Sequence, residues 1–290
     1  GWSPVKTPDE NVFYVDGRKF ILLDNGDDTS YIYADEVYAY KGVWGWQMLK
    51  PDYTADPNIL GYWLQHAIID DTFEGDQPIL KLPKAIINNI DYNHVWLTEE
   101  GASNGPCPDN YTYKAGVSLL SLSELRKYGS KIGYGYINLR TLRTGSNVDA
   151  NYMVCVNTDG LIRQVGISEV NAIVPSFYVN NDFFKTIKLD LSTTGANVKT
   201  AIRTMYSEEE MSAIYSKSEL KEIGYGKVAE IQGTLKPGYE VTASLVNGVD
   251  SYHWYRCDSA EDSGIQIDGV TTANYTLKNA DGGKYIKVEG

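Results

Sequence analysis

The last part of the chain, from about Lys227 to Gly290, alternates apolar and polar residues in short runs separated by turn dipeptides. Asn247-Gly248 and Asp268-Gly269 are two-residue turn signals of the kind that join antiparallel strands. The runs on either side of these turns contain Val241, Ala243 and Leu245, then Ser251–Tyr255, Tyr275–Leu277 and Tyr285–Val288. Short strands at this spacing predict an all-β sandwich over residues 227–290.

The residues before this region predict a mixed domain over 1–186. Strand-like runs, Val12–Val15 and Lys19–Leu23, flank the hairpin signal Asp16-Gly17. One face of a helical pattern carries Leu60, Trp63, Leu64, Ala67 and Ile68. From 133 to 179 strand patterns return, and Pro175 in the run Ala172–Val179 indicates an edge strand or a bulge.

Helix start signals mark two further places. Ser121–Glu124 and Ser207–Glu210 both have the form of a capping box, in which serine and glutamate satisfy the first backbone amides of a helix. The second box lies within 187–226, where short amphipathic patterns predict a packed helical connector. The predicted fold class is therefore α+β, with a mixed domain, a helical connector and a β-sandwich.

The net charge of -12 restricts the partners of the chain. An acidic chain is repelled by phosphate backbones, so we expect no nucleic-acid partner. No run of apolar residues is long enough to cross a bilayer, so we expect no membrane insertion within this chain. The start Gly1-Trp2-Ser3-Pro4 is typical of a trimmed chain, and export signals are expected outside it.

The C-terminal region resembles the immunoglobulin-like modules of bacterial cell-wall and surface proteins. The resemblance is carried by Gly233–Gly238, Tyr252–Tyr255, Asn274–Leu277 and Asp281–Tyr285. Trp254 stands where that fold places its core tryptophan, and Asp281, Gly283 and Tyr285 match the spacing near its tyrosine corner. Cys257 has no partner cysteine there, because Lys287 stands at the second position. The region ends soon after its last recognisable strand, so we expect a truncated module.

Residues 12–184 resemble an uncharacterised domain of surface proteins from Gram-positive gut bacteria. The matching pieces are Asp16–Asp24, Asn58–Leu64, Ser118–Leu125, Leu139–Thr141, Val156–Gly160, Val174–Val179 and Asp182–Phe184. That family is similar to the C-type-lectin-like fold, which formylglycine-generating enzymes share. The resemblance implies export and surface display, and it implies no known chemistry.

An enzyme on such a scaffold would use a reactive cysteine pair. The chain has three cysteines, of which Cys107 follows Gly105-Pro106 in a predicted loop and Cys155 lies in an apolar run typical of a buried strand. A buried thiol is usually inert, so we predict no catalysis. Whether Cys107 and Cys155 form a disulfide does not follow from the sequence.

An acidic cluster is the candidate metal site. Asp70, Asp71, Glu74 and Asp76 supply the hard oxygen ligands that calcium prefers. The same residues also suit a solvated turn, because their spacing matches no regular calcium motif. No other cofactor is predicted.

Aromatic residues on a predicted loop form the candidate ligand site. Tyr40, Trp44 and Trp46 could stack on sugar rings or anchor a protein partner, with Arg140 and Arg143 as charged donors. In the alternative, Trp44 and Trp46 fill the core of the first domain.

These patterns together predict a secreted or wall-attached surface protein that binds glycans or host proteins. The larger domain would carry recognition and the immunoglobulin-like module would act as a spacer. An enzyme on a formylglycine-generating scaffold and a purely architectural surface protein are the alternatives.

Overall fold

The computed structural model describes residues 9–42, 51, 60–97, 112–132, 137–142, 152–156, 161–166, 169–226, 228–245 and 251–289. The chain divides into two compact units, Gly1–Val198 and Lys199–Gly290. Most regular structure in the described residues is β-sheet, with several short helices. The prediction of a mixed α and β chain is therefore confirmed at this level.

Unit 1 contains twelve strands in its described residues. They are β1 (Val12–Val15), β2 (Arg18–Asn25), β3 (Thr29–Tyr33), β4 (Ala39–Lys41), β5 (Val95–Leu97), β6 (Thr112–Lys114), β7 (Val117–Ser118), β8 (Ile137–Leu142), β9 (Tyr152–Val156), β10 (Ile162–Gly166), β11 (Asn171–Ile173) and β12 (Ser176–Asn180). They form two five-stranded sheets, in the orders β1-β2-β3-β12-β7 and β10-β9-β8-β11-β4, and the pair β5-β6.

Local signals account for the first hairpin of unit 1. Asp16 and Gly17 have φ values of 48° and 76°, as a two-residue turn with both central residues left-handed requires. The turn sets the register of β1 and β2, in which Phe13 faces Phe20. Their rings stack at 5.6 Å, and both side chains are fully buried. The predicted hairpin is confirmed.

The predicted strand Ala172–Val179 is wrong as a single element. Val174 and Pro175 separate β11 from β12, and the two strands belong to different sheets. β12 is an inner strand that pairs with β3 and β7, whereas β11 lies between β8 and β4. Because Pro175 has no amide hydrogen to continue a ladder, it stands where the chain changes sheets.

Short helices complete unit 1. Helix α1 (Leu60–Trp63) continues as a π-helix (Leu64–Ile69), and α2 (Lys84–Ile87), α3 (Leu122–Tyr128) and α4 (Phe183–Thr186) follow. In α3, the Ser121 hydroxyl accepts a hydrogen bond from the Glu124 amide and the Glu124 carboxylate accepts one from the Ser121 amide. The first predicted capping box is therefore confirmed.

The helices that follow are α5 (Ala196–Met205), α6 (Glu208–Met211) and α7 (Lys217–Ile223), and the boundary between the units falls within α5. The predicted box at Ser207 and Glu210 is formed at the start of α6. A further box, at Ser216 and Glu219, starts α7 and was not among those predicted. Tyr225, which follows α7, is buried, and its hydroxyl donates to the carbonyl of Tyr206 at 2.8 Å.

Six strands of unit 2 form two three-stranded sheets. They are β13 (Val228–Gly233), β14 (Glu240–Leu245), β15 (His253–Cys257), β16 (Ile265–Gln266), β17 (Asn274–Thr276) and β18 (Tyr285–Glu289), with a 3-10 turn at Asn279–Asp281. The orders are β13-β14-β17 and β16-β15-β18. Trp254 from one sheet packs in the same core as Val241 and Tyr275 from the other.

The described helices include none that is both long and apolar enough to span a membrane.

Candidate functional site

A cavity of about 530 Å³ lies beside strand β18 in unit 2. All five consecutive residues of β18, Tyr285–Glu289, line it. Because neighbouring residues of a strand point to opposite faces, a cavity that touches every one of them follows the edge of the strand. Its volume is in the range of ordinary ligand sites.

The wall of this cavity is largely apolar. Ile231 of β13 and Ile286 and Val288 of β18 lie on the side of the inner core, and Val288 is 1% exposed. Tyr225, which follows helix α7, and Cys257 of β15 also line the cavity and are buried. This wall suits apolar side chains of a ligand.

The rim of the cavity carries three charged residues. The Lys287 ammonium lies 2.9 Å from the Glu289 carboxylate, and the Lys221 ammonium of α7 lies 3.6 Å from it. The hydrogen bond from Lys287 lowers the pKa of Glu289, and it raises the pKa of Lys287. Two lysines and one carboxylate therefore give the rim a net positive charge.

The charged groups of the rim suit binding better than proton transfer. A general acid or base works best when its pKa lies near the working pH, and the ion pair moves the pKa of Glu289 further below that range. Cys257 carries a free, buried thiol.

The predicted ligand residues of unit 1 are only partly within the described residues. Trp44, Trp46 and Arg143 lie outside them. Tyr40 lies on β4, where it pairs with Ala172 of β11, and its side chain is 59% exposed. An exposed tyrosine on the last strand of a sheet is accessible to a ligand, so the role predicted for Tyr40 stays a prediction.

Arg140 occupies a different position, in the interior of unit 1. Its side chain on β8 is 5% exposed and forms a two-pronged ion pair with Glu124 of α3, with Nη1–Oε2 and Nη2–Oε1 distances of 2.6 and 2.5 Å. It also donates to the carbonyls of Leu119 and Leu97 at 2.6 and 3.0 Å. These partners use four donor contacts of the guanidinium, which therefore links α3, the segment before it and strand β5.

An aromatic cluster surrounds this ion pair. The Arg140 guanidinium lies 5.0 Å from the ring of Trp96, and the Tyr31 hydroxyl donates to Glu124 at 2.7 Å. Burial lowers the pKa of Arg140, but its hydrogen bonds to Glu124, together with its electrostatic interactions with Tyr31, Glu124 and Tyr113, outweigh that effect and raise it. The Tyr178 ring stacks on Tyr31, with 4.3 Å between the centroids.

His94 lies at the outer side of the same cluster. Its ring stacks on Tyr178 at 3.8 Å and meets the Trp96 ring edge-on at 4.7 Å. Burial lowers the pKa of His94, with Asp91 acting in the opposite direction. No pattern in the sequence pointed to His94. Glu124 was predicted only as part of a capping box, which marks a helix start and does not indicate a contact with Arg140.

Asp70, Asp71 and Asp76 of the predicted calcium site each contact a different partner. Asp70 contacts the His66 ring at 3.0 Å, while Asp71 pairs with Lys81. The backbone carbonyl of Asp76 accepts a hydrogen bond from the Trp63 indole at 2.9 Å. Within the described residues, no group of three or more acidic, histidine or cysteine side chains is placed to hold a metal ion. Calcium binding through Asp70, Asp71, Glu74 and Asp76 stays a prediction.

Of the two cysteines considered for catalysis, Cys107 lies outside the described residues. Cys155 is a free thiol in β9 and is fully buried. Burial, with a smaller contribution from Glu169, raises its pKa. A thiol with a raised pKa is a weak nucleophile at neutral pH because little thiolate is present.

Comparisons of the chain with protein-family models, with curated proteins and with solved structures found no match. The role of the β18 cavity is therefore inferred from its own geometry.

Proposed function

We propose that this chain is a modular binding protein of a bacterial surface, secreted or attached to the cell wall, with an adhesive rather than a catalytic role. Its partner is a glycan or a protein of the host or of the cell surface. The cavity beside β18 is the observation that carries the proposal, because it combines an apolar wall with a charged rim.

The proposed fold of residues 227–290, within unit 2, is an immunoglobulin-like sandwich. The support comes from its two three-stranded sheets and from Trp254, which is fully buried between them. Tyr285 is 56% exposed, whereas the hydroxyl of the buried Tyr275 donates to Asp281 at 2.7 Å. Tyr275, and not Tyr285, is therefore the buried tyrosine that donates a hydrogen bond to Asp281. For residues 1–186 we propose the C-type-lectin-like fold on the resemblance of the sequence.

The absence of catalysis is part of the proposal. The cavity's carboxylate is held ionised by lysines, and the raised pKa of the buried Cys155 disfavours a thiolate nucleophile. These are properties of a surface that binds a partner and leaves it unchanged.

An array of glycans and host-matrix proteins, probed with the purified chain with and without calcium, tests this function. We expect retention on at least one class of partner, and recovery of that partner chemically unchanged. Retention on none of them would favour the architectural alternative, and a modified partner would favour an enzyme. Calorimetric titration of calcium tests the site at Asp70 and Asp71, where the absence of heat and of any shift in melting temperature would remove the metal.

Localisation needs a separate measurement. Antibodies to this chain should label intact cells, and protease treatment of those cells should remove the label. Label that appears only after lysis would contradict surface display.

A further inference from the structure

Among the described strands of unit 2, β18 is the best-formed edge. Four of these strands lie at sheet edges: β13, β17, β16 and β18. β16 and β17 are only two and three residues long, and the pairing of β13 with β14 has an irregularity between Val228 and Glu230. Short length and bulges are the common devices that prevent an edge from pairing with another chain.

β18 has neither of these two devices. It is five residues long, and all five pair with β15 in unbroken antiparallel register, from Cys257↔Tyr285 to His253↔Glu289. Within the described part of the chain β15 is its single strand partner. Alternate backbone N–H and C=O groups of β18 therefore point away from β15, toward the cavity.

The cavity lies along this edge of β18, in the position that one more paired strand would occupy. Ile286 and Val288 lie toward the core side, together with Ile231 of β13, while Tyr285, Lys287 and Glu289 lie on the other face. A strand that enters here would place alternate side chains on the apolar wall and the remaining ones near the charged rim.

The rim indicates the charge of the occupant. Lys221 and Lys287 share one carboxylate, Glu289, so an acidic side chain on the incoming strand would meet a net positive charge. A second copy of this chain suits the site less well. In an antiparallel pairing of all five residues of β18 with themselves, Lys287 would lie opposite its own copy, and like charges directly opposite each other destabilise a sheet.

We propose that the open edge of β18 binds an extended segment of a partner polypeptide as an added strand, with alternate apolar residues against Ile231, Ile286 and Val288 and an acidic residue near Lys221 and Lys287. The proposal rests on the proposed binding function and assigns it a class of partner. Main-chain hydrogen bonds supply affinity in this mode, and the side-chain pockets supply specificity.

The test uses the full chain and a short synthetic peptide in which valine alternates with threonine around one central glutamate. We expect binding by calorimetry, together with slower amide hydrogen exchange in β18. Methylation of alternate backbone nitrogens of the peptide should weaken binding by at least about tenfold, because backbone hydrogen bonds are lost. Equal binding of the methylated peptide, or no binding of either peptide, would overturn strand addition.

Variants test the charge of the rim. Lys287→Glu should weaken binding of the glutamate peptide by about three- to tenfold, whereas Lys236→Glu, on an exposed turn of the same unit, should change it by less than about twofold. A peptide with lysine in place of the central glutamate should show the reverse preference. Equal effects of the two variants would overturn the acidic assignment.

Sedimentation of the chain without peptide tests whether a second copy of the chain occupies the edge of β18. Concentration-dependent dimers that protect the β18 amides would assign the edge to a second copy and overturn the partner peptide. The array experiment is independent of these results. Retention on the array without peptide binding would refute strand addition alone. Peptide binding without retention on the array would refute the proposed surface partners and leave strand addition standing.

Discussion

The ion pair between Arg140 and Glu124 allows a quantitative test of the fold of unit 1. The substitution Arg140→Ala removes the two contacts to the carboxylate and the donors to the carbonyls of Leu119 and Leu97. Glu124 keeps its hydrogen bonds from the Tyr31 hydroxyl and the Ser121 amide, but it loses its cation. The side chain of Glu124 is 17% exposed, so water replaces the lost partner only in part.

The expected loss in free energy of unfolding follows from these contacts. Breaking a buried ion pair by removing one partner costs about 3–5 kcal/mol, because the remaining charge is left without compensation. Arg140→Lys keeps the charge and loses the two-pronged geometry, so we expect a smaller loss, about 1.5–3 kcal/mol. Arg126 lies on the same helix, α3, and is exposed. Arg126→Ala should change stability by less than about 0.5 kcal/mol.

Urea unfolding followed by tryptophan fluorescence measures these differences. Trp96 lies 5.0 Å from the Arg140 guanidinium and reports on unit 1, while Trp254 lies in the core of unit 2. Replacing Trp254 by Phe in the background of all variants isolates the signal of unit 1 from that tryptophan. A loss in free energy of unfolding for Arg140→Ala within about 1 kcal/mol of the Arg126→Ala value would refute a structural role for Arg140. That result would favour the role first predicted for Arg140, as a donor to a ligand.

Three further predictions concern a buried carboxylate, a stacked histidine and a glycine. Burial raises the pKa of Asp281, but hydrogen bonds from the Lys278 amide, Tyr275 and Arg256 outweigh it and lower the pKa below its usual 3.8. Unit 2 should therefore keep this stabilisation above pH 3.8 and lose it as the pH falls through the lowered value, and Asp281→Asn should remove about 1–3 kcal/mol at pH 7 in chemical unfolding. Burial lowers the pKa of His94 below 6.5, so the folded state binds fewer protons than the unfolded state. The stability of unit 1 should fall as the pH drops through 6.5, and His94→Phe should flatten that fall in urea titrations at several pH values. Gly264 has φ +75°, and a Cβ there would lie 2.5 Å from the Cys257 sulfur, so Gly264→Ala should cost about 2–4 kcal/mol by thermal unfolding.

Matched variants separate these effects from general ones. Gly269→Ala has the same backbone strain, at φ +77°, with nothing within 4 Å of the added Cβ. An equal loss for both glycine variants would show that the contact with Cys257 contributes nothing. Asp268→Asn alters an exposed carboxylate of the same unit and should leave stability almost unchanged. His253→Phe should leave the pH profile of unit 1 as it is, and an unchanged profile for His94→Phe would refute the assignment to His94.

Local patterns in the sequence predicted the elements whose signals are themselves local. The turn at Asp16-Gly17, the box at Ser121 and Glu124 and the strand around Trp254 depend on a few neighbouring residues, and all three are present. The same reasoning would have found the box at Ser216, which has an identical spacing.

Pairing between distant residues could not be predicted in this way. β3 pairs with β12 so that Tyr31 faces Tyr178, and no local pattern specifies that register. The sheet change at Pro175 follows from this pairing and not from the proline alone. Arg140 was predicted as a ligand donor because an arginine in a strand pattern gives no sign of its partner, which here comes from a helix earlier in the chain.

The cavity beside β18 was missed for a related reason. It exists because residues of both sheets of unit 2 meet residues of helix α7 and of the turn after it. No single run of sequence therefore contains the cavity. Ile231, Cys257 and Ile286 each belong to a different strand. The only local sign was the alternation in Tyr285–Val288, which predicts a strand and gives no information about whether its second edge is paired.

Arg140 and Lys287 show why a charged residue in a strand does not by itself indicate a site. Arg140 is buried, and Glu124 and two carbonyls take up its donors, so its hydrogen-bonding capacity is used within the fold. The Lys287 side chain is 44% exposed and shares Glu289 with Lys221, so its charge remains only partly compensated. Replacing Arg140 should therefore lower stability, whereas replacing Lys287 should leave stability within about 1 kcal/mol and change binding. A variant of Lys287 that unfolds the protein, or one of Arg140 that changes only binding, would reverse the roles assigned to the two residues.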